Sequence, residues 1–120
     1  MENVQSSAND AIAAAQDWLE LIDRGDASES YERAAGLFKA AVSPEQWQSS
    51  LAAAQAPLGR PLSRSLKSSR YAEELPGAPD GKYYVIEYET AFEKKKSGAE
   101  TVVPMLDADG VWRVSGYFVR

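Results

Sequence analysis

The sequence predicts an α+β fold, with three N-terminal helices packed on a curved four-stranded antiparallel sheet. In the first half of the chain, apolar residues recur every three or four positions, which is the period of an amphipathic helix. In the second half they alternate at every second position, and short turns separate the runs, as in antiparallel strands. Helices that precede such a sheet pack together on one of its faces. We therefore expect residues 8–120 to form a single domain, after a disordered or tag-like N-terminus over residues 1–7.

Three helices follow from the apolar spacing and from residues that favour helix ends. The first is predicted over residues 8–24. The second is predicted over residues 28–42, where Asp26 can cap the start and Gly36 weakens the helix enough that a break could occur. The third begins at Ser43, because the run Ser-Pro-Glu-Gln places a capping side chain before a proline in the first turn.

The alternation also predicts which side chains share a face of the sheet. In the second strand, which is the most clearly marked, Tyr84 and Tyr88 lie on one face. In the first strand, Arg64 and Arg70 are predicted to share a face, since they lie an even number of positions apart. In the last strand, Trp112 and Tyr117 are predicted to lie on opposite faces. The four strands are predicted over residues 61–71, 82–92, 100–106 and 111–119.

The composition excludes several chemistries. The chain contains no histidine and no cysteine, which removes the commonest general base and zinc ligand, disulfides and a cysteine nucleophile. Any catalysis would have to use Tyr, carboxylate, Arg or Lys side chains, and we expect no metal and no cofactor. A formal net charge of −5 without a basic stripe disfavours binding to nucleic acid or to an anionic membrane surface. No apolar run approaches the about 18 residues of a membrane span.

Several spaced motifs carry a resemblance to a known family. They are Trp18-Leu19, Phe38-Lys39 ahead of Trp47, and the runs over residues 57–60, 75–83, 88–92 and 110–119. On these motifs, residues 8–119 resemble an uncharacterised bacterial family known as domain of unknown function 4019. The resemblance implies a small exported bacterial protein with a cystatin-like or nuclear-transport-factor-2-like cone, and it implies no catalytic residue.

The cellular location follows from the same resemblance. Residues 1–7 lack the basic start and the apolar core of a signal peptide. We expect a periplasmic or secreted protein whose signal peptide is absent from this sequence, and a cytoplasmic location is the alternative.

Three functions are compatible with these features. The leading hypothesis is a non-catalytic binding or accessory domain, which takes a small apolar ligand or a protein partner in a pocket between helices and sheet. One alternative is a small pocket enzyme, in which Tyr84 or Tyr88 works with a carboxylic acid that the sequence does not identify. Another alternative is a homodimer that pairs through the sheet.

Six side chains are candidates for ligand binding, because they are aromatic or cationic and lie on the predicted elements. One of them, Arg64, would need an acidic partner if it were buried, and Glu87 or Glu89 could serve. The candidates are Trp47, Arg64, Tyr84, Tyr88, Trp112 and Tyr117.

Overall fold

A computed structural model describes residues 4–120, which form four helices and four strands. The helices precede the strands, and the strands form one antiparallel sheet in the order β1-β2-β3-β4, so the predicted α+β class is confirmed. The first helix begins at Val4 instead of residue 8, and residues 1–3 of the predicted N-terminal segment lie outside the described part of the chain. The elements are α1 Val4–Asp23, α2 Ala27–Glu32, α3 Gly36–Ala41, α4 Pro44–Gln55, β1 Pro61–Ala72, β2 Tyr83–Phe92, β3 Lys95–Leu106 and β4 Trp112–Val119.

The segment predicted as the second helix is divided into α2 and α3. The break lies just before Gly36, at Ala35, whose backbone is extended. The Ala35 N–H donates to the carbonyl oxygen of Val114 at 2.8 Å. This bond to the edge of β4 replaces the intrahelical bond that Ala35 would make in a continuous helix. A tertiary contact, together with the weak helix propensity of Gly36, therefore ends α2 and starts α3.

The apolar core lies between the helices and one face of the sheet, which we call the inner face. Trp18 of α1 and Trp47 of α4 pack with ring centroids 5.9 Å apart. Their indole N–H groups donate to the carbonyl and hydroxyl oxygens of the fully buried Ser30, at 2.8 and 2.9 Å. Large side chains of β2 and β3, Ile86 and Val102 among them, close this layer from the sheet side. The centre of the space in which a ligand pocket was expected is thus occupied by the core, and a cleft of about 430 Å³ lies at its edge, between α1 and β4.

A register shift in β1 changes which face its basic residues occupy. Arg64 lies opposite Thr90, whereas Arg70 lies opposite Val85, because one residue is inserted between Leu66 and Ser68. Thr90 and Val85 point to opposite faces of β2. The prediction that Arg64 and Arg70 share a face is therefore wrong.

A second register shift affects β4. Val114 lies opposite Pro104 and Gly116 lies opposite Val103, which leaves Ser115 as an extra residue. Trp112 and Tyr117 consequently both lie on the inner face, where Tyr117 packs on Trp18 with ring centroids 5.5 Å apart. The prediction of opposite faces for these two residues is wrong for the same reason as in β1.

Candidate functional site

The most polar part of the interior surrounds the carboxylate of Glu100 on β3, which is only 1% exposed. Thr90 Oγ1 donates to Glu100 Oε1 at 2.5 Å, and Arg64 Nε donates to the same oxygen at 2.7 Å. The Tyr117 hydroxyl and Arg64 Nη2 donate to Oε2, the latter at 3.3 Å. A buried carboxylate is tolerated only with such compensation. Asp23, Arg64, Thr90, Glu100 and Tyr117 together are called the Glu100 cluster.

Arg64 connects the Glu100 cluster to the helix layer. Its Nη1 and Nη2 donate to the two carboxylate oxygens of Asp23, at the end of α1, both at 2.9 Å. Burial lowers the pKa of the Arg64 guanidinium, but hydrogen bonds to Asp23 and Glu100 outweigh burial, so its pKa lies above the ordinary value. One cation thus bridges two carboxylates, one at the helix end and one inside the sheet.

Two tyrosines approach Glu100 in different ways. Burial, together with the charge of Glu100, raises the pKa of Tyr117 far above its ordinary value, so this phenol is a neutral donor. Tyr88 lies directly across the strand pair from Glu100 and is 3% exposed. Its hydroxyl has no hydrogen-bond partner among the described residues. The tyrosine that donates to the buried carboxylate of Glu100 is Tyr117, whereas the hypothesis from sequence named Tyr84 or Tyr88.

The remaining sequence candidates are core residues. Trp47 packs on Trp18 and Phe38. Tyr84 packs on Trp112 with ring centroids 5.4 Å apart, within the core cluster. The structure thus brings Arg64, Tyr88 and Tyr117 together around Glu100 and leaves Trp47, Tyr84 and Trp112 in the apolar packing.

Sequence reasoning missed Glu100 as the partner of Arg64. Glu87 and Glu89, the residues proposed for that role, are exposed and lie on the opposite face of β2. A usable signal was present, because Glu100 shares the face of Val102, which is apolar and fully buried. A carboxylate on such a face must find a cation within the protein.

A cleft of about 450 Å³ lies on the other side of the sheet, which we call the outer face. It is bounded by α3 on one side and by the loop between β1 and β2 on the other, with the outer face of the sheet as its floor. We call it the outer cleft. Most of its lining is apolar, and Arg70 carries the single charge among the lining residues. These are Leu37, Ala41, Arg70, Leu75, Pro76, Gly77, Ala78, Tyr83, Val85, Thr101, Val103, Ser115, Gly116 and Phe118.

Local hydrogen bonds hold the loop that forms one wall of the outer cleft. The Tyr83 hydroxyl donates to the Pro79 carbonyl oxygen at 2.6 Å, and the Gly81 N–H donates to the Glu73 carbonyl oxygen at 3.0 Å. On the floor, the Ser115 hydroxyl donates to the Val103 carbonyl oxygen at 2.8 Å. These hydroxyl groups are thus engaged within the protein, and the guanidinium of Arg70 makes no ion pair with the described residues.

These features define an α+β domain with an open four-stranded sheet, a closed polar cluster on its inner face and an apolar cleft on its outer face. The chain belongs to the family described as protein of unknown function (DUF4019), whose model matches residues 14–117. The resemblance noted from sequence is thereby confirmed. No curated protein and no solved structure matches the chain. Within residues 4–120, no helix combines the length and the apolarity that a membrane crossing requires.

Proposed function

We propose that this protein is a non-catalytic binding domain, and that it holds a small apolar ligand in the outer cleft. The observation that carries the proposal is the cleft itself. Its volume of about 450 Å³ lies within the about 300–1,000 Å³ of small-molecule sites, which are mostly apolar with few polar groups. The centre of the space between helices and sheet is filled by core side chains. A cleft of about 430 Å³ at its edge, between α1 and β4, is lined by four charged residues, which favours the outer face for an apolar ligand.

A glycine in the floor of the outer cleft supports this proposal. Gly116 lies inside β4, where a residue without a side chain weakens a strand and often marks the close approach of a ligand. A Cβ atom at Gly116 would meet the Phe118 ring at 3.4 Å and Val103 Cβ at 3.8 Å, which are ordinary contacts. The backbone therefore has room for a Cβ atom, and the absence of a side chain at Gly116 keeps the cleft open.

The state of the Glu100 cluster supports a non-catalytic role. A general acid or base must reach the substrate and needs a pKa near the working pH. Glu100 is surrounded by four donated hydrogen bonds, and the pKa of Tyr117 is raised far from neutrality. Both groups are better suited to joining helix and sheet than to proton transfer.

Two further parts of the proposal rest on the family resemblance. The element order, helices followed by a four-stranded meander, supports a cystatin-like or nuclear-transport-factor-2-like cone. The similarity to small exported bacterial proteins supports a periplasmic or secreted location. Fractionation of bacteria that express the native gene tests the location, and recovery of the protein in the cytoplasm alone would contradict it.

Binding in the outer cleft can be tested with N-phenylnaphthylamine, an uncharged dye that fluoresces in apolar sites. We expect saturable binding by the wild-type protein. Gly116→Leu should weaken that binding about tenfold, equivalent to about 1.4 kcal/mol, because the new side chain projects into the cleft. Ala53→Leu is the matched control, since it adds the same side chain to an exposed position of α4 that does not line the cleft.

Two results would contradict the proposal. One is equal dye binding by wild type and Gly116→Leu, since the dye would then be bound elsewhere. The other is a wild-type dimer in light scattering that Gly116→Leu dissociates, since a second copy of the chain would then occupy the cleft. Circular dichroism of both variants verifies that a loss of binding does not reflect unfolding.

A further inference from the structure

The outer cleft has a cation at one end of its floor. The strand registers place Arg70 opposite Val85 and Val103 opposite Gly116. In the pairing of β2 with β3, Ile86 lies opposite Val102, so Val85 lies opposite Val103. One row therefore crosses the outer face from Arg70 to Gly116. Three strand spacings make this row about 14 Å long. It runs from a guanidinium, over two valines, to the position that lacks a side chain.

Arg70 differs from the neighbouring basic residues of β1 in having no ion-pair partner among residues 4–120. Arg64 is bound by Asp23 and Glu100, and Lys67 lies 4.0 Å from Glu89. No carboxylate in the described part of the chain pairs with Arg70. Glu87 lies two residues beyond Val85 on the same face of β2, and it accepts a hydrogen bond from the Ser68 hydroxyl at 3.3 Å. An acidic protein, with net charge −5, thus presents an uncompensated cation beside its apolar cleft.

We propose that the ligand of the outer cleft is a single-chain amphipathic anion, with its apolar chain along the row from Val85 to Gly116 and its acidic group at Arg70. This inference rests on the proposed function and specifies its ligand class. A guanidinium binds a carboxylate through two parallel hydrogen bonds. The apolar floor and the walls formed by Leu37 and Leu75 bury the chain. The length of the row corresponds to a medium-length alkyl chain, and the net negative charge of the protein favours a free amphiphile over an anionic membrane.

The head group can be tested by comparing decanoate, decanol and decylammonium, which share one chain and differ in charge. Each is titrated below its micelle concentration against the bound N-phenylnaphthylamine. We expect wild type to bind decanoate more tightly than decanol, and decanol more tightly than decylammonium. Arg70→Gln should weaken decanoate binding about fivefold, as for an exposed ion pair, and should leave decanol binding unchanged. Arg70→Lys should retain part of the preference.

Arg60→Gln is the matched control, because it removes the same charge from an exposed residue about 33 Å away along the strand direction. An equal loss of decanoate binding in Arg60→Gln and Arg70→Gln would overturn the inference, since net charge would then explain the preference. Equal affinity of wild type for all three probes would also overturn it, while the proposed function would stand. Failure of every probe, dye included, would remove both.

A vesicle-binding experiment distinguishes a free amphiphile from a lipid surface as the ligand. Wild type and Arg70→Gln are sedimented with phosphatidylglycerol vesicles. We expect no vesicle binding by either protein. Binding to vesicles that depends on Arg70, without binding of decanoate, would overturn the inference in favour of a membrane surface.

Discussion

Among single residues, Tyr88 and Tyr117 make the most direct comparison, because both are tyrosines beside Glu100. The Tyr117 hydroxyl donates to a buried carboxylate, whereas the Tyr88 hydroxyl is buried without a partner among the described residues. We expect Tyr117→Phe to lower the free energy of unfolding by about 2 kcal/mol, the contribution of a hydrogen bond to a charged group. Tyr88→Phe should raise it by about 1 kcal/mol, since an unsatisfied hydroxyl is removed.

Urea denaturation of the two variants measures both changes, and each variant serves as the control for the other. The substitution removes one oxygen in each case, so the difference reports the partner and not the size of the side chain. A loss of stability in Tyr88→Phe as large as in Tyr117→Phe would show that the Tyr88 hydroxyl is satisfied in solution.

The pairing of Arg64 with Glu100 leads to a second expectation for single residues. Glu100→Gln should lower the free energy of unfolding by about 3 kcal/mol, because breaking a buried ion pair leaves the remaining charge poorly compensated. Asp23 retains its hydrogen bonds to Arg64 in this variant. The loss of stability should therefore lie at the lower end of the range for broken buried ion pairs. Glu89→Gln is the control, and its exposed carboxylate should contribute less than about 0.5 kcal/mol. Similar losses in both variants, measured by denaturation, would contradict this assignment.

Among the secondary-structure elements, α4 shows how well local signals predict a boundary. The capping box expected at Ser43 is present: Ser43 Oγ accepts from the Gln46 N–H at 3.2 Å, and Gln46 Oε1 accepts from the Ser43 N–H at 2.9 Å. We expect Ser43→Ala to lower the free energy of unfolding by about 1 kcal/mol. Ser50→Ala, inside the same helix and exposed, should cause no loss, since alanine is the better helix former. Equal thermal stability of the two variants would contradict the role of the cap.

Helix caps and the alternation of β2 could be predicted because their causes lie within a few residues of the chain. The register shifts at Lys67 in β1 and at Ser115 in β4 could not, since an inserted residue is defined only against the partner strand. The register shift in β1 places Arg70 on the outer face, and the register shift in β4 places Tyr117 on the inner face. The Glu100 cluster was missed for a related reason, because it joins residues from α1, β1, β2, β3 and β4 that are adjacent only after folding. The outer cleft depends on the same registers.

Considered as a whole, the molecule uses the two faces of its sheet differently. The inner face is closed by the helices, and Arg64 ties β1 to the end of α1. The outer face keeps an open apolar cleft, which native packing would otherwise tend to fill. Pairing of two chains through the sheet stays a prediction: Leu62 and Leu66 are exposed on β1, but Lys67 lies beside them, and lysine on an edge strand opposes such pairing.

Buried tyrosines give the whole molecule a characteristic response to alkali. Burial raises the pKa of Tyr83, Tyr84, Tyr88 and Tyr117 above the ordinary value of 10.0. A raised pKa in the folded state means that the associated stability is present below about pH 10 and is lost at higher pH, where the unfolded chain releases its phenol protons first. We expect the free energy of unfolding to fall steeply above about pH 10, and Tyr117→Phe to show a shallower fall because one such proton is absent.

The absorbance of tyrosinate and far-ultraviolet circular dichroism, followed together as the pH rises, measure this coupling. Tyrosinate from the buried residues should appear in one step with the loss of secondary structure, because these phenols ionise only when the chain opens. A gradual titration of all six tyrosines near pH 10, with the circular dichroism unchanged, would contradict it. Such a result would mean that solvent reaches the inner face of the folded sheet, and that the Glu100 cluster is more open than its hydrogen bonds indicate.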